Sequence, residues 1–258
     1  MDVAAYLTRI GFSKPIKPDV ATLHELQHAH LLTVPFENLD IGWKRELRLD
    51  FDSLWNKLIL QRRGGFCYEL NGLFAELLKS IGYDVTYLNA RVFSHAGEMG
   101  IGFDHLALLV RAPDHPLRWL VDVGFGDSFE RPLNFEEGGD QVQGLRAYRI
   151  EKSTDGYVTW QKNYDGTWER QYFFDMQPHK FPDEYESACL YHQMSPRSSF
   201  TRGAIVSKAT VDGRVSLETG RFIITRNGQR LEQPVRNQVE YQELLQRYFD
   251  IRIPKEQL

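Results

Sequence analysis

The chain has 258 residues, 42% of them hydrophobic, and a formal net charge of −4. This length and apolar content suffice for one large domain or a few small ones, and the mildly acidic charge gives no reason to expect nucleic acid or an anionic membrane as a partner. Two cysteines are too few for a disulfide framework, and the N-terminus has neither a signal peptide nor a membrane span, so we expect a cytoplasmic protein with reduced thiols.

The first third of the chain is predicted to be helical. A segment that begins near Asp19 or Thr22, either of which can cap it, carries leucines at helical spacing. The run FDSLWNKLIL predicts another amphipathic helix. The last helix of this region begins at about Cys67, carries one apolar stripe and ends at Gly82. Together these segments predict an N-terminal helical bundle.

The middle of the chain changes to the periodicity of strands. Short runs rich in β-branched and aromatic residues follow one another from about Tyr83 to Phe174, separated by turn sequences such as APDHP, STDG and YDG. We interpret them as an antiparallel sheet or barrel. Further short strands and a closing helix, NQVEYQELLQRYF, come after it. This order of elements predicts the α+β class.

Cys67 is the first candidate functional residue. The predicted helix N-terminus offers unpaired N–H groups and the positive end of the helix dipole, which favour a thiolate over a thiol. Gly64 and Gly65 carry no side chains and are expected to leave room for a substrate, while Arg62 and Arg63 add positive charge nearby. These features distinguish Cys67 from an ordinary buried structural cysteine and predict a reactive nucleophile.

His105 and Asp122 are the candidate base and its orienting acid. The stretch around them predicts a β-hairpin centred between Pro113 and Asp114, which would place the two residues about opposite each other. Opposed side chains share a face, with Cβ atoms about 4.5–5.5 Å apart, and a slip of one residue would break that facing. Asp122 would fix the imidazole tautomer of His105, which would activate Cys67 for acyl transfer.

The run HELQH offers an alternative site at His24 and His28. It matches the H-E-x-x-H zinc pattern, and the spacing places both imidazoles on one face of a helix. The metzincin extension of that pattern is absent, although a later glutamate could supply a third ligand. We interpret the two histidines as residues on the flank of a helix and expect no metal.

Several segments together resemble the arylamine N-acetyltransferase family. RGGFCYELN, from Arg63 to Asn71, is similar to the family's nucleophile segment, and VPFENLDI, from Val34 to Ile41, is similar to its N-terminal signature. DHLALLV and VDVGFGDS resemble the segments that carry its histidine and aspartate. SPRSSFT, from Ser195 to Thr201, resembles a further family segment. The order and spacing of these segments agree over nearly the whole chain.

The resemblance implies three domains, namely a helical bundle (1–83), an antiparallel β-barrel (84–190) and an α/β lid (191–258), around a papain-like or transglutaminase-like thiol-enzyme core. It carries the family's catalytic triad onto Cys67, His105 and Asp122. It also implies ping-pong chemistry, in which acetyl-coenzyme A acetylates the cysteine and coenzyme A leaves. An arylamine, arylhydrazine or arylhydroxylamine then accepts the acetyl group.

Aromatic residues in the matching segments are the candidate walls of the site. Such walls would keep water from the thioester intermediate and stack on an aryl substrate. Phe36 and Phe125 are the main candidates, with plain core phenylalanines as the alternative interpretation. Phe129 is expected to tune acceptor size from the same loop as Phe125, and Phe200 to line the cleft from the third domain.

Contacts with coenzyme A are expected where glycines free the backbone. The N–H groups of Gly124 and Gly126 can form an anion-binding nest for its phosphates. Phe103 and Asp104 are expected to flank the cleft beside the candidate histidine. The oxyanion of the tetrahedral intermediate needs a donor, for which the backbone N–H of Cys67 and that of Phe103 are the two candidates.

Other functions remain open on the residues alone. The same triad would serve a thiol hydrolase or a transglutaminase-like acyltransferase, and only the acceptor separates them. A zinc peptidase built on His24 and His28, or a binding module whose site has decayed, are two further alternatives. The expected partners are small molecules, and the chain is expected to be a monomer or a homodimer.

Overall fold

A computed structural model describes residues 1–253 of the chain. Its helices are Val3–Arg9 (α1), Val20–Thr33 (α2), Leu39–Gly42 (α3), Phe51–Trp55 (α4), Cys67–Ile81 (α5), Glu186–Met194 (α6) and Gln238–Phe249 (α7). Its strands are Phe36–Glu37 (β1), Asp84–Val92 (β2), His105–Arg111 (β3), Arg118–Val121 (β4), Leu133–Asn134 (β5), Gln141–Gln143 (β6), Arg146–Lys152 (β7), Tyr157–Lys162 (β8), Trp168–Phe174 (β9), Ile205–Thr210 (β10), Gly213–Glu218 (β11), Arg221–Arg226 (β12) and Gln229–Pro234 (β13). The α+β class is confirmed.

Helix ends follow the predicted cap residues. The Asp19 carboxylate accepts a hydrogen bond from the Thr22 amide and begins α2. Helix α5 begins at Cys67 and ends at Gly82, whose φ of 112° is accessible to glycine without strain. Among residues 1–253, no helix combines the length and the apolar character that crossing a bilayer demands.

Helix α5 is the central element that positions the site. Its apolar stripe is fully buried and packs against α1, α4, β2 and β3. The fully buried residues of this stripe are Leu70, Leu73, Phe74, Leu77 and Leu78. Because the helix is packed on several sides, the residue at its first turn, Cys67, is held in a fixed position against the hairpin of β3 and β4.

The middle of the chain folds into one antiparallel sheet of eight strands, in the order β5-β4-β3-β2-β9-β8-β7-β6. Its two edge strands are joined by side chains, so that the barrel is nearly closed. Gln141 on β6 accepts from the Asn134 amide at 2.8 Å and donates to the Asn134 carbonyl at 2.9 Å. Gln143 bonds the Arg131 backbone in the same way, at 3.0 and 2.8 Å. Between the two edge strands, side-chain amides of glutamine thus take the place of hydrogen bonds from backbone to backbone.

A second antiparallel sheet, in the order β1-β10-β11-β12-β13, occupies the C-terminal part, and α7 packs on β11. Its edge strand β1 comes from the N-terminal region, since Phe36 pairs with Ser207. The domain boundary expected at residue 190 falls inside α6. The division into 1–83, 84–190 and 191–258 therefore stays a prediction.

Candidate active site

The hairpin of β3 and β4 brings His105 and Asp122 together. His105 Nε2 lies 2.7 Å from Asp122 Oδ2, and both side chains are buried. The predicted register was wrong by two residues, because Leu108 pairs with Val121 and the turn is centred one residue later than expected. A shift of two preserves the face on which each side chain lies, so the residues meet diagonally instead of directly.

The Asp122 carboxylate is held by further hydrogen bonds. Its Oδ1 atom accepts from Asn71 Nδ2 and from the Gly124 amide, both at 2.8 Å. Its own backbone amide donates to Gln27 Oε1 at 3.2 Å. A buried carboxylate with this many donors is held in one orientation and cannot rotate away from His105 without losing hydrogen bonds.

Asn71 is a site residue that the sequence analysis missed as an individual residue. It lies one helical turn after Cys67 on α5, and its Nδ2 also donates to the Leu106 carbonyl at 2.6 Å. Its Oδ1 accepts from the Val123 amide at 2.9 Å. One amide therefore connects the helix to both strands of the hairpin. The spacing of four from Cys67 was the available signal, since such residues share a helix face.

Cys67 is the first residue of α5, and its side chain is buried within the hairpin contact. Burial raises the pKa of the Cys67 thiol well above its ordinary value, while a hydrogen bond from the Leu106 amide opposes that effect. The carboxylates of Asp104 and Asp122 and the thiol of Cys189 raise the pKa further. The sequence analysis expected the helix N-terminus to favour a thiolate, which means a lowered thiol pKa. Burial and these neighbouring groups instead raise the pKa of Cys67.

The two arginines expected to add positive charge near Cys67 have other partners. The Arg63 guanidinium is buried and pairs with Glu37 at 2.6 Å and with Asp40 at 3.3 Å. Arg62 lies 3.9 Å from Asp250. Neither guanidinium is therefore available to stabilise a thiolate at Cys67. The Nε2 atom of His105 is taken up by Asp122, which leaves Nδ1 as the ring nitrogen that could act as a base.

The two glycines before Cys67 fill a different role from the one expected. A Cβ atom on Gly64 would overlap the Pro35 carbonyl, and one on Gly65 would lie 2.7 Å from Glu69 Oε2. These positions lack side chains because the protein itself occupies the space. The prediction that they leave room for a substrate was wrong.

Phe125 packs against His105. Its ring is edge-on to His105, with centroids 5.2 Å apart, and is 5.2 Å from the ring of Tyr172. Tyr172, which the sequence analysis missed, is itself 5.1 Å from His105. Phe125 is half-buried and lines a cavity of about 670 Å³, together with Trp160 and Trp168. Aromatic rings therefore cluster beside His105 at this position, and their role as a wall of the substrate site stays a prediction.

A second aromatic group lies on the other side of Cys67. The rings of Phe36 and Phe200 are 6.1 Å apart, and Phe200 meets Phe66 edge-on at 5.8 Å. Phe129 instead lies in the barrel core, where its ring contacts Tyr148 at 5.9 Å. Any influence of Phe129 on acceptor size must therefore be transmitted through the core.

The glycines expected to approach coenzyme A differ in exposure. Gly124 is buried against Cys67, whose Cα atom would lie 2.7 Å from a Cβ at this position. Gly126 has a φ of 92° and lies next to the Phe36 ring. The absence of a side chain at Gly124 thus allows the hairpin to pack on α5. The positive φ of Gly126 is one that glycine adopts without strain, which allows the chain to turn there.

Phe103 and Asp104 come immediately before His105, as expected for residues that flank it. The Phe103 amide donates to Asn89 Oδ1 at 2.6 Å, so it is already occupied and is a poor oxyanion donor. The Asp104 carboxylate accepts from the Val92 amide at 3.2 Å. As the first residue of α5, Cys67 has no intrahelical acceptor for its amide, which remains the candidate oxyanion donor.

The zinc pattern does not form a metal-binding group. The His24 ring packs edge-on against Trp119 at 4.7 Å, and His28 Nδ1 lies 3.6 Å from Glu130. In the part of the chain from residue 1 to residue 253, no three histidine, cysteine, aspartate or glutamate side chains converge as a metal ion would require. The two histidines lie on a helix flank, as interpreted from the sequence.

Comparison with known proteins adds to this geometry. A family model described as N-acetyltransferase matches residues 19–258. An arylamine N-acetyltransferase of Mycolicibacterium smegmatis is 35% identical over 233 residues, which are 88% of this chain and 84% of that protein. A solved structure of the M. smegmatis arylamine N-acetyltransferase has a TM-score of 0.91 and 32% identity, covering 97% of this chain and 92% of that one.

A further solved structure, Mycobacterium marinum arylamine N-acetyltransferase in complex with CoA, has a TM-score of 0.90 and 29% identity, covering 97% of this chain and 93% of that one. The fold, the site and these matches define an enzyme of the acyltransferase class. Within that class, the chain belongs to the arylamine N-acetyltransferase family. The resemblance noted in the sequence is thereby confirmed.

Proposed function

We propose that this enzyme transfers an acetyl group from acetyl-coenzyme A to an arylamine, arylhydrazine or arylhydroxylamine through an acetyl-Cys67 thioester. The observation that carries the proposal is the 2.7 Å contact between His105 and Asp122 at the end of a hairpin packed on the first turn of α5. The family membership supports acetyl transfer as the reaction. The M. marinum relative, solved with CoA, supports acetyl-coenzyme A as the donor.

In the first half-reaction, the Cys67 thiol gives its proton to His105 Nδ1, and the sulfur attacks the carbonyl carbon of the donor thioester. The Cys67 amide donates to the oxyanion of the tetrahedral intermediate. The bond between that carbon and the coenzyme A sulfur then breaks, and His105 returns the proton to the leaving thiolate. Asp122 stabilises the imidazolium throughout, because Asn71 and Gly124 hold its other oxygen.

In the second half-reaction, the nitrogen of the acceptor attacks the acetyl carbon of the thioester. His105 takes the proton from that nitrogen and delivers it to the Cys67 sulfur as the carbon–sulfur bond breaks. The product is an amide and the enzyme returns to its starting state. The barrier to hydrolysis depends on excluding water, which the rings of Phe125 and Tyr172 beside His105 favour.

Phe125 contacts His105 and also lines a cavity, which is the approach we assign to donor and acceptor, although the cavity lining does not include Cys67 itself. The cavity volume of about 670 Å³ lies within the range of ligand-binding pockets. Trp160, Trp168 and Phe93 supply aromatic faces in this cavity, and Arg170 and Arg230 supply positive charge for phosphates. The same wall of Phe125 would stack on an aryl acceptor once coenzyme A has left.

The test is acetylation of the full-length protein, followed by intact mass and release of coenzyme A. We expect one acetyl adduct, absent in Cys67→Ala and retained in Cys189→Ala, and its loss when an aromatic amine is added. Cys189 is the matched control because it is the other buried thiol. An unmodified wild-type protein, or an adduct that persists with every amine, contradicts the proposal. Loss of the adduct to water alone supports a thiol hydrolase instead.

The expectation of a cytoplasmic monomer or homodimer belongs to this proposal. Every triad residue comes from one chain, so the proposed chemistry does not require a second copy. Light scattering of the purified protein measures its mass in solution, and fractionation of cells measures its compartment. A larger assembly, or recovery with membranes, contradicts this part of the proposal and leaves the chemistry unaffected.

A further inference from the structure

A second imidazole lies close to the nucleophile, in a cluster of three side chains that the proposed reaction does not use. His192 on α6 has its Nε2 atom 3.1 Å from Asp104 Oδ1. Its Nδ1 atom is 3.1 Å from Ser198 Oγ. The imidazole and the hydroxyl are buried, and the carboxylate is mostly so. The three residues come from different segments that meet directly beside His105.

The Asp104 carboxylate is fixed on its other side. Its Oδ2 atom accepts from the Val92 amide at 3.2 Å, and a side chain at Gly100 would overlap the same oxygen. The backbone carbonyl of Asp104 lies 3.2 Å from the Tyr68 hydroxyl, which comes from the residue after Cys67. The carboxylate therefore cannot turn towards solvent without breaking contacts on the strand and the loop.

The Ser198 hydroxyl connects His192 to the wall of the cleft. It accepts from the Phe200 amide at 3.2 Å and so caps the short turn Ser199–Thr201. The Phe200 ring also contacts the His192 ring directly, with centroids 5.3 Å apart. One imidazole thus touches both the turn that carries Phe200 and the residue that precedes His105.

We propose that Asp104 and His192 form a second carboxylate–imidazole pair, in which His192 is a positioning residue that fixes the Phe200 turn and holds the Asp104 carboxylate beside Cys67. In the described part of the chain, His192 Nε2 meets no acceptor with hydrogen-bond geometry. The contact with Asp104 is therefore a close approach of the two groups, at 3.1 Å, without a well-aligned hydrogen bond. This inference rests on Cys67 being the nucleophile of the proposed function.

The charges around the pair determine what a change in either residue should do. Besides Asp104, the His192 ring faces the rings of Tyr68 and Tyr191. Burial raises the pKa of Tyr68 well above its ordinary value, so this hydroxyl stays neutral over the working range. The groups that act on the pKa of Cys67 are the carboxylates of Asp104 and Asp122, the Cys189 thiol and the Leu106 amide.

The test is the rate of Cys67 alkylation by iodoacetamide as a function of pH, measured on the full chain by mass spectrometry. Asp104→Asn removes a negative charge beside the sulfur, so the midpoint should fall by about one pH unit. His192→Gln removes the side chain that holds the Asp104 carboxylate beside the sulfur, so the released carboxylate should act less on Cys67 and the midpoint should fall, by less than in Asp104→Asn. In the Asp104→Asn background, His192→Gln should have much less effect than it has alone, because the two side chains act as a pair.

His28→Gln is the matched control, since it also removes an imidazole near a carboxylate, at a site away from Cys67. It should leave the alkylation midpoint where it is. His192→Asn provides a second neutral variant if His192→Gln does not fold, and thermal unfolding of each protein monitors the fold. A rise of the midpoint in His192→Gln, a shift that persists in full in the Asp104→Asn background, or no shift in either single variant overturns the inference. The readout needs no acetyl donor, so it is independent of whether acetyl transfer is observed.

Discussion

The backbone of Gly124 lies against the first residue of α5, so closely that a Cβ atom there would be 2.7 Å from the Cα atom of Cys67. The atoms of Cys67 that such a Cβ would meet are its Cα and its carbonyl oxygen. Both belong to the main chain, so they cannot move aside as a flexible side chain could. The separation between helix and hairpin, and with it the position of the sulfur relative to His105, is therefore set by the absence of a side chain at residue 124.

Gly124→Ala should reduce the rate of Cys67 acetylation by about 10²-fold, because displacement of a catalytic group by about 1 Å has effects of that size. The measurement is single-turnover acetylation followed by mass spectrometry. Gly138→Ala is the matched control, since nothing lies within 4 Å of its added methyl group. Equal rates for the two variants would show that the close contact does not position the sulfur.

Asp122→Asn should reduce acetyl transfer by about 10⁴-fold, because the amide no longer fixes the imidazole tautomer or stabilises the imidazolium. The new Nδ2 group would also face Asn71 Nδ2, which in the wild-type protein donates to the Asp122 carboxylate. Steady-state kinetics with an aromatic amine measures the loss. Asp114→Asn, in the hairpin turn, is the control and should transfer acetyl at the wild-type rate. An active Asp122→Asn enzyme would refute the assigned role.

Asn71→Ala should lower the free energy of unfolding by about 3 kcal/mol, because it removes three hydrogen bonds and leaves buried partners unsatisfied. Urea denaturation followed by circular dichroism measures this loss. Asn89→Ala is the control, because it removes two hydrogen bonds of a residue that is only half-buried. Its free energy of unfolding should therefore fall by less than that of Asn71→Ala. Comparable stability of Asn71→Ala and the wild type would contradict the role of Asn71 as the connection between helix and hairpin.

His30 should make the protein less stable as the pH falls. Burial lowers the pKa of His30 from its ordinary value to about 3, so the unfolded chain binds a proton at mildly acidic pH that the folded protein does not. Between pH 6 and pH 5, this group alone should cost about 1 kcal/mol of stability. Above pH 7 it should contribute no pH dependence, because both states are then neutral.

His30→Phe tests that contribution, because it retains the ring contact with Phe74 and lacks the titrating group. Urea denaturation at several pH values should give a smaller slope of stability against pH for the variant than for the wild type. The Tyr6 hydroxyl loses its partner in the variant, which lowers stability equally at each pH and leaves the slope informative. Identical slopes would contradict a neutral buried His30.

The hairpin shows why the sequence predicted the contact between His105 and Asp122 despite an error in register. Strand periodicity is two, so the shift of two residues that the structure reveals keeps His105 and Asp122 on one face. The extent of α5 was predictable for a similar reason, since its apolar stripe and the glycine that ends it, Gly82, are both local features of the sequence. Both features depend on the local pattern of residues along the chain.

The contacts that complete the site join distant segments, and no local pattern encodes them. Gln27 bonds the Asp122 amide from α2, and Tyr172 reaches His105 from β9. The role of Arg63 was misjudged for the same reason, because its charge partners lie 26 and 23 residues away in sequence. The pairing of Asp104 with His192 also needed coordinates, since the two segments meet only in the folded chain.

The two-residue strand Phe36–Glu37 limits how this protein can be divided or recombined. Phe36 pairs with Ser207 in the C-terminal sheet and at the same time contacts Phe200, while Glu37 neutralises the buried Arg63. A chimaera that exchanged the last third of the chain for that of a relative would have to match all of these contacts at once. The C-terminal region is consequently an integral part of the catalytic scaffold and not an interchangeable module.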